Sequence, residues 1–302
     1  MAVLLAVTSD EHCGSTVGLC SPKPILYDDG GEYHASPGQL WLWDCWRRGW
    51  DAAAECAQKH DAELWWVNNG DLTDGPGHHG THQSISALHT QEREVVRDVL
   101  DYPLALDLKR IFIIRGTESH VGKGASSEEG IAKALSDDWP VESCEETGTA
   151  SWWHLMADIE GVYVDVLHHG RTGYRPWTQA NATNLLAAQI VAERVKEKYN
   201  LLKELRKAKG ENKKSIHERI EDWRLPDLAL RAHFHRHSDS YDAHPTRVIQ
   251  GPAFQLATSY VHRRVPESLA DVGMYWILID DGSYSVFFDI HQPSRGRIWT
   301  AA

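Results

Sequence analysis

Two hydrophobic periods alternate along the chain. Apolar runs with strand character cover residues 3–8, 64–67, 109–114, 151–157, 161–167, 227–231, 248–259, 274–280 and 284–290. Helical periodicity covers 40–59, 86–100, 126–135 and 181–207, the last running into the turn-like string KAKGENKK. Ser126 or Ser127 is a candidate N-cap with two Glu in the turn that follows. Asp280-Asp281-Gly282-Ser283 predicts a hairpin turn, and another turn is expected at 158–161. Residues 13–38, rich in Gly, Pro, Ser and Asp, read as a long loop, and 137–148 as acidic and irregular. Strands alternating with helices predict an α/β fold.

The strand ends carry the chemistry. The run at 64–67, Leu-Trp-Trp-Val, breaks at Asn68-Asn69-Gly70 into an acidic turn with Asp71 and Asp74. Four further apolar runs end in Asp10-Glu11-His12, Glu118-Ser119-His120, His168-His169 and His233-Phe234-His235. Ligands bind at the carboxyl ends of strands in open α/β sheets, so these ends are expected to converge. Asp10 and His12 sit two apart, as do His233 and His235. On an extended backbone each pair projects to one side, which suits metal ligation. Convergence of ends from Asp10 to His235 requires one domain over 1–302, with loop 13–38 and helical segment 181–222 as elaborations. Trp41, Trp43, Trp46 and Trp50 fit core packing. The rim loop 75–84 carries His78, His79 and His82, either solvated or in contact with substrate.

Composition narrows the setting. With 31 basic and 43 acidic residues the net charge is −12, so no global field attracts nucleic acid or an anionic membrane. The basic residues between Lys203 and Lys214 lack interleaved aromatics and fit a solvated helix end. Five cysteines, without a CxxC pair, fit a reducing compartment. No signal peptide or membrane-length apolar run is found, so a cytoplasmic protein with no membrane partner and no obligate protein partner is expected.

The ordered series Asp10-x-His12, Gly70-Asp71-x-x-Asp74, Gly116-Thr117-Glu118-Ser119-His120, His168 and His233-x-His235 resembles the motifs of the calcineurin-like metallophosphoesterase superfamily, D-x-H, G-D-x-x-D, G-N-H-D/E, H and G-H-x-H. The resemblance implies a four-layer α/β/β/α sandwich of two mixed sheets flanked by helices, with two divalent metal ions at the strand ends. Asp10, His12 and His235 would hold one ion, His168 and His233 the other, with Asp71 between them and Asp74 as a supporting acid. Mixed imidazole and carboxylate ligands suit Mn, Fe or Zn, with Ni or Mg as further candidates. The implied activity is phosphoester hydrolysis by in-line attack of a metal-bridging hydroxide. A phosphodiesterase on nucleotides or small diesters is the leading expectation. A phosphomonoesterase, a nucleic-acid end phosphatase, a nuclease or a metal-stabilised binding module are the alternatives.

The third motif departs from the family. Glu118 is expected to replace its Asn as metal ligand, with Thr117 as the alternative, and His120 to protonate the leaving oxygen or bind a phosphate oxygen. His168 is preferred to His169 as ligand. Arg115 is expected to contact substrate, and Lys123, Arg171 and Arg175 flank the motifs as further candidates for phosphate.

Overall fold

The computed structural model describes residues 1–27, 29–75, 84–171, 179–264 and 269–294. In chain order the strands are β1 (Val3–Thr8), β2 (Ile25–Leu26), β3 (Glu32–Tyr33), β4 (Glu63–Asn68), β5 (Arg110–Ile113), β6 (Leu155–Ile159), β7 (Val162–His169), β8 (Leu228–Ala232), β9 (Ser238–Asp239), β10 (Arg247–Gln250), β11 (Val272–Asp280) and β12 (Ser283–His291). The α-helices are α1 (Pro37–Lys59), α2 (Leu88–Glu94), α3 (Asp101–Leu104), α4 (Glu118–Val121), α5 (Ser126–Ser136), α6 (Gln179–Leu205), α7 (Gly210–Glu221) and α8 (Ser259–Arg264).

Two five-stranded mixed sheets form the body, in the orders β12-β11-β1-β4-β5 and β6-β7-β8-β10-β9. In the first, β1, β4 and β5 run parallel and β11 pairs antiparallel with β1. In the second, β7, β8 and β10 run parallel between antiparallel partners. Strand β1 shows why these layers form. Its side chains alternate between faces, and all six residues are buried. Val3, Leu5 and Val7 meet Val162, Val164, Val166, Leu228 and Leu230 of the second sheet in the core between sheets. Leu4 and Ala6 point the other way, into a cluster with Trp46, Trp50 and Ala53 of α1 and Ile131, Ala132 and Leu135 of α5. On the far side, Ala187 and Ile190 of α6 cover Ala229 and Val248. The result is the expected α/β architecture, two mixed sheets flanked by helices.

Helix α1 starts at a capping box. Ser36 Oγ accepts the Gln39 N–H, and Gln39 Oε1 accepts the Ser36 N–H. Trp46 and Trp50 are fully buried, with ring centroids 5.7 Å apart, and Trp50 meets Trp66 of β4 edge-on at 5.6 Å. Trp41 and Trp43 pack half-buried against the same cluster.

Several expected boundaries shift for local reasons. The helix expected over 86–100 is interrupted: α2 gives way to a π-helical turn at Val95–Val99 and then to α3. The β-branched Val95, Val96 and Val99 are weak helix formers at this point. The strand expected over 248–259 ends at Gln250, because Gly251-Pro252 follows and Pro offers no N–H to a ladder. Strand β6 begins at Leu155 rather than 151; the chain before it makes only isolated bridges. Loop 13–38 contains the short β2–β3 pair. The predicted hairpin between β11 and β12 turns through Asp281 and Gly282, both at positive φ. The five cysteines are all free, and no helix among the described residues is long and apolar enough to cross a membrane.

The edge-to-face tryptophan cluster yields a stability prediction. Trp50→Ala removes a fully buried indole between two others and should destabilise the fold by about 3–5 kcal/mol, read as a lower midpoint in urea denaturation with the slope unchanged.

Candidate metal centre

The parallel strands of both sheets deliver their carboxyl ends to one place. The chain leaving β1 and the chain leaving β4 stay zipped beyond their ladder: Asp10 N–H donates to Gly70 C=O at 2.9 Å, His12 N–H to Asp71 C=O at 3.0 Å, and Cys13 N–H to Leu72 C=O at 2.8 Å. This places Asp10, His12 and Asp71 side by side, each at most 1% exposed. From the second sheet, His168 continues the inward alternation of Val162, Val164 and Val166 along β7, and His233 and His235 follow β8. The alternation that buries the valines therefore aims His168 at the carboxylates, while His169 falls on the exposed face.

The two-apart pairs are brought together by a different backbone from the one expected. Asp10, His12, Asp71, His233 and His235 all have positive φ, between 45° and 79°. Tight left-handed turns beyond the strands, rather than continued extension, point these side chains inward. Close approach also depends on glycine. A Cβ on Gly116 would lie 2.1 Å from Asp71 Oδ1, and one on Gly75 would lie 1.7 Å from the His120 carbonyl oxygen.

Three groups of side chains offer ligand atoms that all lie within 4.8 Å of one another: Asp10 with His12 and His235, Asp71 with His168 and His233, and His12 with Asp71 and His120. In the first group, His235 Nε2 is 3.3 Å from Asp10 Oδ1 and 3.1 Å from His12 Nε2. In the second, His168 Nε2 is 3.1 Å from Asp71 Oδ2, and His12 Nε2 lies 4.0 Å from that same oxygen. Asp71 thus stands between the two groups. The Thr117 N–H donates to its other oxygen, Oδ1, at 2.6 Å.

Surrounding groups set the orientation of the rings. His168 Nδ1 donates to the Asn69 C=O at 2.6 Å, which leaves Nε2 as the lone-pair nitrogen of the neutral ring. His12 Nδ1 is 3.5 Å from Asp74 Oδ1, and that oxygen also accepts from Gln255 Nε2 at 3.3 Å. Asp74 therefore stands behind His12. The Thr117 hydroxyl is 3.3 Å from His168 Nε2 and 3.0 Å from His233 Nδ1.

The electrostatics favour a cation. Burial pushes the Asp10 carboxyl up, but His235 and His168 outweigh it and hold it below the usual carboxylate range. Burial likewise opposes ionisation of Asp71, which His168 and His12 hold well below that range. Burial pulls His168 down, yet the Asp71 and Asp10 charges raise it to about 10. Burial and then the nearby His168 charge lower His233 to about 4. The two buried carboxylates draw positive charge, and among the side chains His168 answers. Asp10 Oδ1 finds no hydrogen-bond donor among the described residues, although imidazole Nε2 atoms surround it at 3.3, 3.9 and 4.0 Å. A buried acceptor without a donor, ringed by nitrogens, fits a divalent cation.

Other predicted residues fall elsewhere. Glu118 is exposed on the first turn of α4 and joins none of the three groups; Thr117, one residue earlier, faces His168 and His233 in the place Glu118 was expected to fill. Arg115 is buried. Its guanidinium bonds Ser151 Oγ at 2.8 Å, Gly124 C=O at 3.3 Å and Glu129 Oε2 at 3.3 Å, and stacks on Trp153, so it is engaged in the scaffold. Lys123 and Arg171 are exposed. His78, His79, His82 and Arg175 lie outside the described residues.

One residue went unanticipated. Glu128 of α5 is fully buried behind the centre, where Oε1 accepts the Asp71 N–H at 2.7 Å and Oε2 accepts the Gly116 N–H at 2.6 Å. Both bonds suit the ionised form, while burial and then the Asp71 charge oppose it and raise the pKa to about 8. The signal was present in the sequence: Glu128 shares the helical phase of Ile131, Ala132 and Leu135, the buried face of α5.

No family model and no curated relative matches the chain. Similar solved structures include a conserved uncharacterised protein described as a predicted phosphoesterase from Streptococcus pneumoniae TIGR4, at 9% identity over 95% of this chain and 89% of that one, with a TM-score of 0.33. A 5′-nucleotidase from Candida albicans SC5314 matches at 11% identity over 95% of this chain and 50% of its own, with a TM-score of 0.40. A dimetal phosphatase from Danio rerio matches at 8% identity over 95% and 98%, with a TM-score of 0.38.

Glu128→Ala tests the buried clamp. It leaves the Asp71 and Gly116 N–H groups without their acceptor in a buried place, so it should destabilise the fold by about 1–3 kcal/mol. Chemical denaturation of the metal-stripped protein measures this, with the exposed Glu118→Gln as a control expected to stay within about 0.5 kcal/mol of the parent.

Proposed function

We propose that the chain is a phosphoester hydrolase that works with two divalent metal ions. The observation that carries this reading is the pair of ligand groups, Asp10 with His12 and His235, and Asp71 with His168 and His233, sharing Asp71 as a common wall. Two divalent ions held there would supply a nucleophilic hydroxide at neutral pH and neutralise charge on a phosphoryl group during in-line displacement. The rest is done by the chain's own residues. Thr117 N–H holds Asp71 Oδ1, so Oδ2 is turned between His12 and His168. Asn69 C=O accepts from His168 Nδ1, which turns Nε2 of that ring toward the centre, and the Asp74 carboxylate lies 3.5 Å behind His12 Nδ1. Burial of Asp10 and Asp71 strengthens every interaction with a cation by excluding water.

The donor set of imidazole and carboxylate favours Mn, Fe or Zn. A phosphodiester of modest size, such as a nucleotide or another small diester, is the favoured substrate. The net charge of −12 argues against a long polyanion, whose binding would need an extended basic track. The five free cysteines fit work in the reducing cytoplasm.

The test is hydrolysis of matched chromogenic phosphomonoesters and phosphodiesters by metal-stripped protein with Mn, Ni, Zn or Mg returned. Activity should require the added metal, favour the diester, and fall by roughly 100-fold or more in Asp71→Asn. A preference for the monoester would move the assignment to a phosphomonoesterase. Protein that binds two equivalents of metal and hydrolyses neither ester would be a metal-stabilised binding module.

A further inference from the structure

His120 was expected to meet substrate, and its surroundings give it another task. One ligand atom each of His12, Asp71 and His120 lie within 4.8 Å of one another, the spacing shown by the two groups already described. The His120 ring meets His12 edge-on, with centroids 4.4 Å apart, while His12 and His235 lie 4.9 Å apart around Asp10. His120 Nδ1 lies 3.0 Å from the Asp74 carbonyl oxygen. A carbonyl oxygen accepts and cannot donate, so Nδ1 carries the proton and Nε2 keeps the lone pair. This is the arrangement that prepares His168, whose Nδ1 donates to a main-chain carbonyl.

Asp74 therefore serves two rings at once. Its carboxylate stands behind His12 and its carbonyl behind His120. The backbone holds this geometry tightly: Gly75, at positive φ, lets the chain after Asp74 pass against the His120 carbonyl where no other residue would fit.

We propose that His120 is a metal ligand, contributing a third imidazole to the ion held by Asp10, His12 and His235. The assignment rests on the two-metal reading given above. Its consequence is an asymmetric centre. One ion has three imidazoles, Asp10 and a share of Asp71; the other has two imidazoles, a share of Asp71 and the neutral hydroxyl of Thr117. The first ion is held tightly and the second exchanges readily.

Calorimetric titration of metal-stripped protein with Mn and with Co, together with the visible absorption of the Co form, tests this without reference to turnover. The parent should bind two ions in two classes separated by at least about tenfold in affinity. His120→Ala should weaken the tight class by at least about tenfold and alter the Co absorption, because a nitrogen donor has been lost. His120→Gln keeps a donor for the Asp74 carbonyl and provides the same reading if the alanine variant folds poorly. Two ions bound by either folded variant with parental affinities and an unchanged spectrum would overturn the assignment while leaving the two-metal centre intact. A parent that binds fewer than two ions would overturn the two-metal reading and this assignment with it.

Discussion

Two carboxylates buried where the sheets meet set the terms for everything around them. Asp10 and Asp71 are almost completely removed from water, and an ionised carboxylate in such a place is unfavourable by several kcal/mol unless donors or cations surround it. The fold supplies partners from every direction. Thr117 N–H binds one oxygen of Asp71, His233 N–H binds one oxygen of Asp10, and imidazoles face the others. A third buried carboxyl, Glu128, stands behind Asp71 and holds its main chain rather than its side chain. Two ionised carboxylates, Asp10 and Asp71, in one buried place are unfavourable for a bare protein and favourable for one that carries cations.

The sandwich divides the labour between its layers. The carboxylates Asp10 and Asp71 come from the β1 and β4 ends of the first sheet, and His168, His233 and His235 from the β7 and β8 ends of the second. Neither sheet holds a complete ligand group by itself. The packing of Val3, Leu5 and Val7 against Val162, Val164 and Val166 is therefore also what brings His168 to Asp71. Core and site share the same strands and the same alternation.

The architecture and most of the centre were legible in the sequence because they follow period and position. Alternation along β1 and β7, hairpin chemistry at Asp281-Gly282, and the strand-end placement of Asp10, Asp71, His168, His233 and His235 need no knowledge of tertiary contacts. What stayed hidden depends on the third dimension. Counting along the third motif cannot show that α4 begins at Glu118 and turns that carboxylate to solvent, leaving Thr117 against the imidazoles. Arg115 reads as a free cation until Ser151 and Glu129 return from a distant part of the chain to bind it. Glu128 was visible as part of an apolar helical face, but a Glu in a first turn is also what dipole compensation predicts, and that reading competes.

The left-handed turns at Asp10, His12, Asp71, His233 and His235 set this chain's stability against its chemistry. A side chain larger than hydrogen costs on the order of 1 kcal/mol or more in that region, and five such positions rival the whole net stability of an ordinary domain. Glycine at any of them would relax the backbone and remove a side chain of the candidate centre in the same step. Evolution toward stability alone would thus begin by dismantling the centre, and laboratory selection for thermal tolerance in the absence of metal should drift in the same direction.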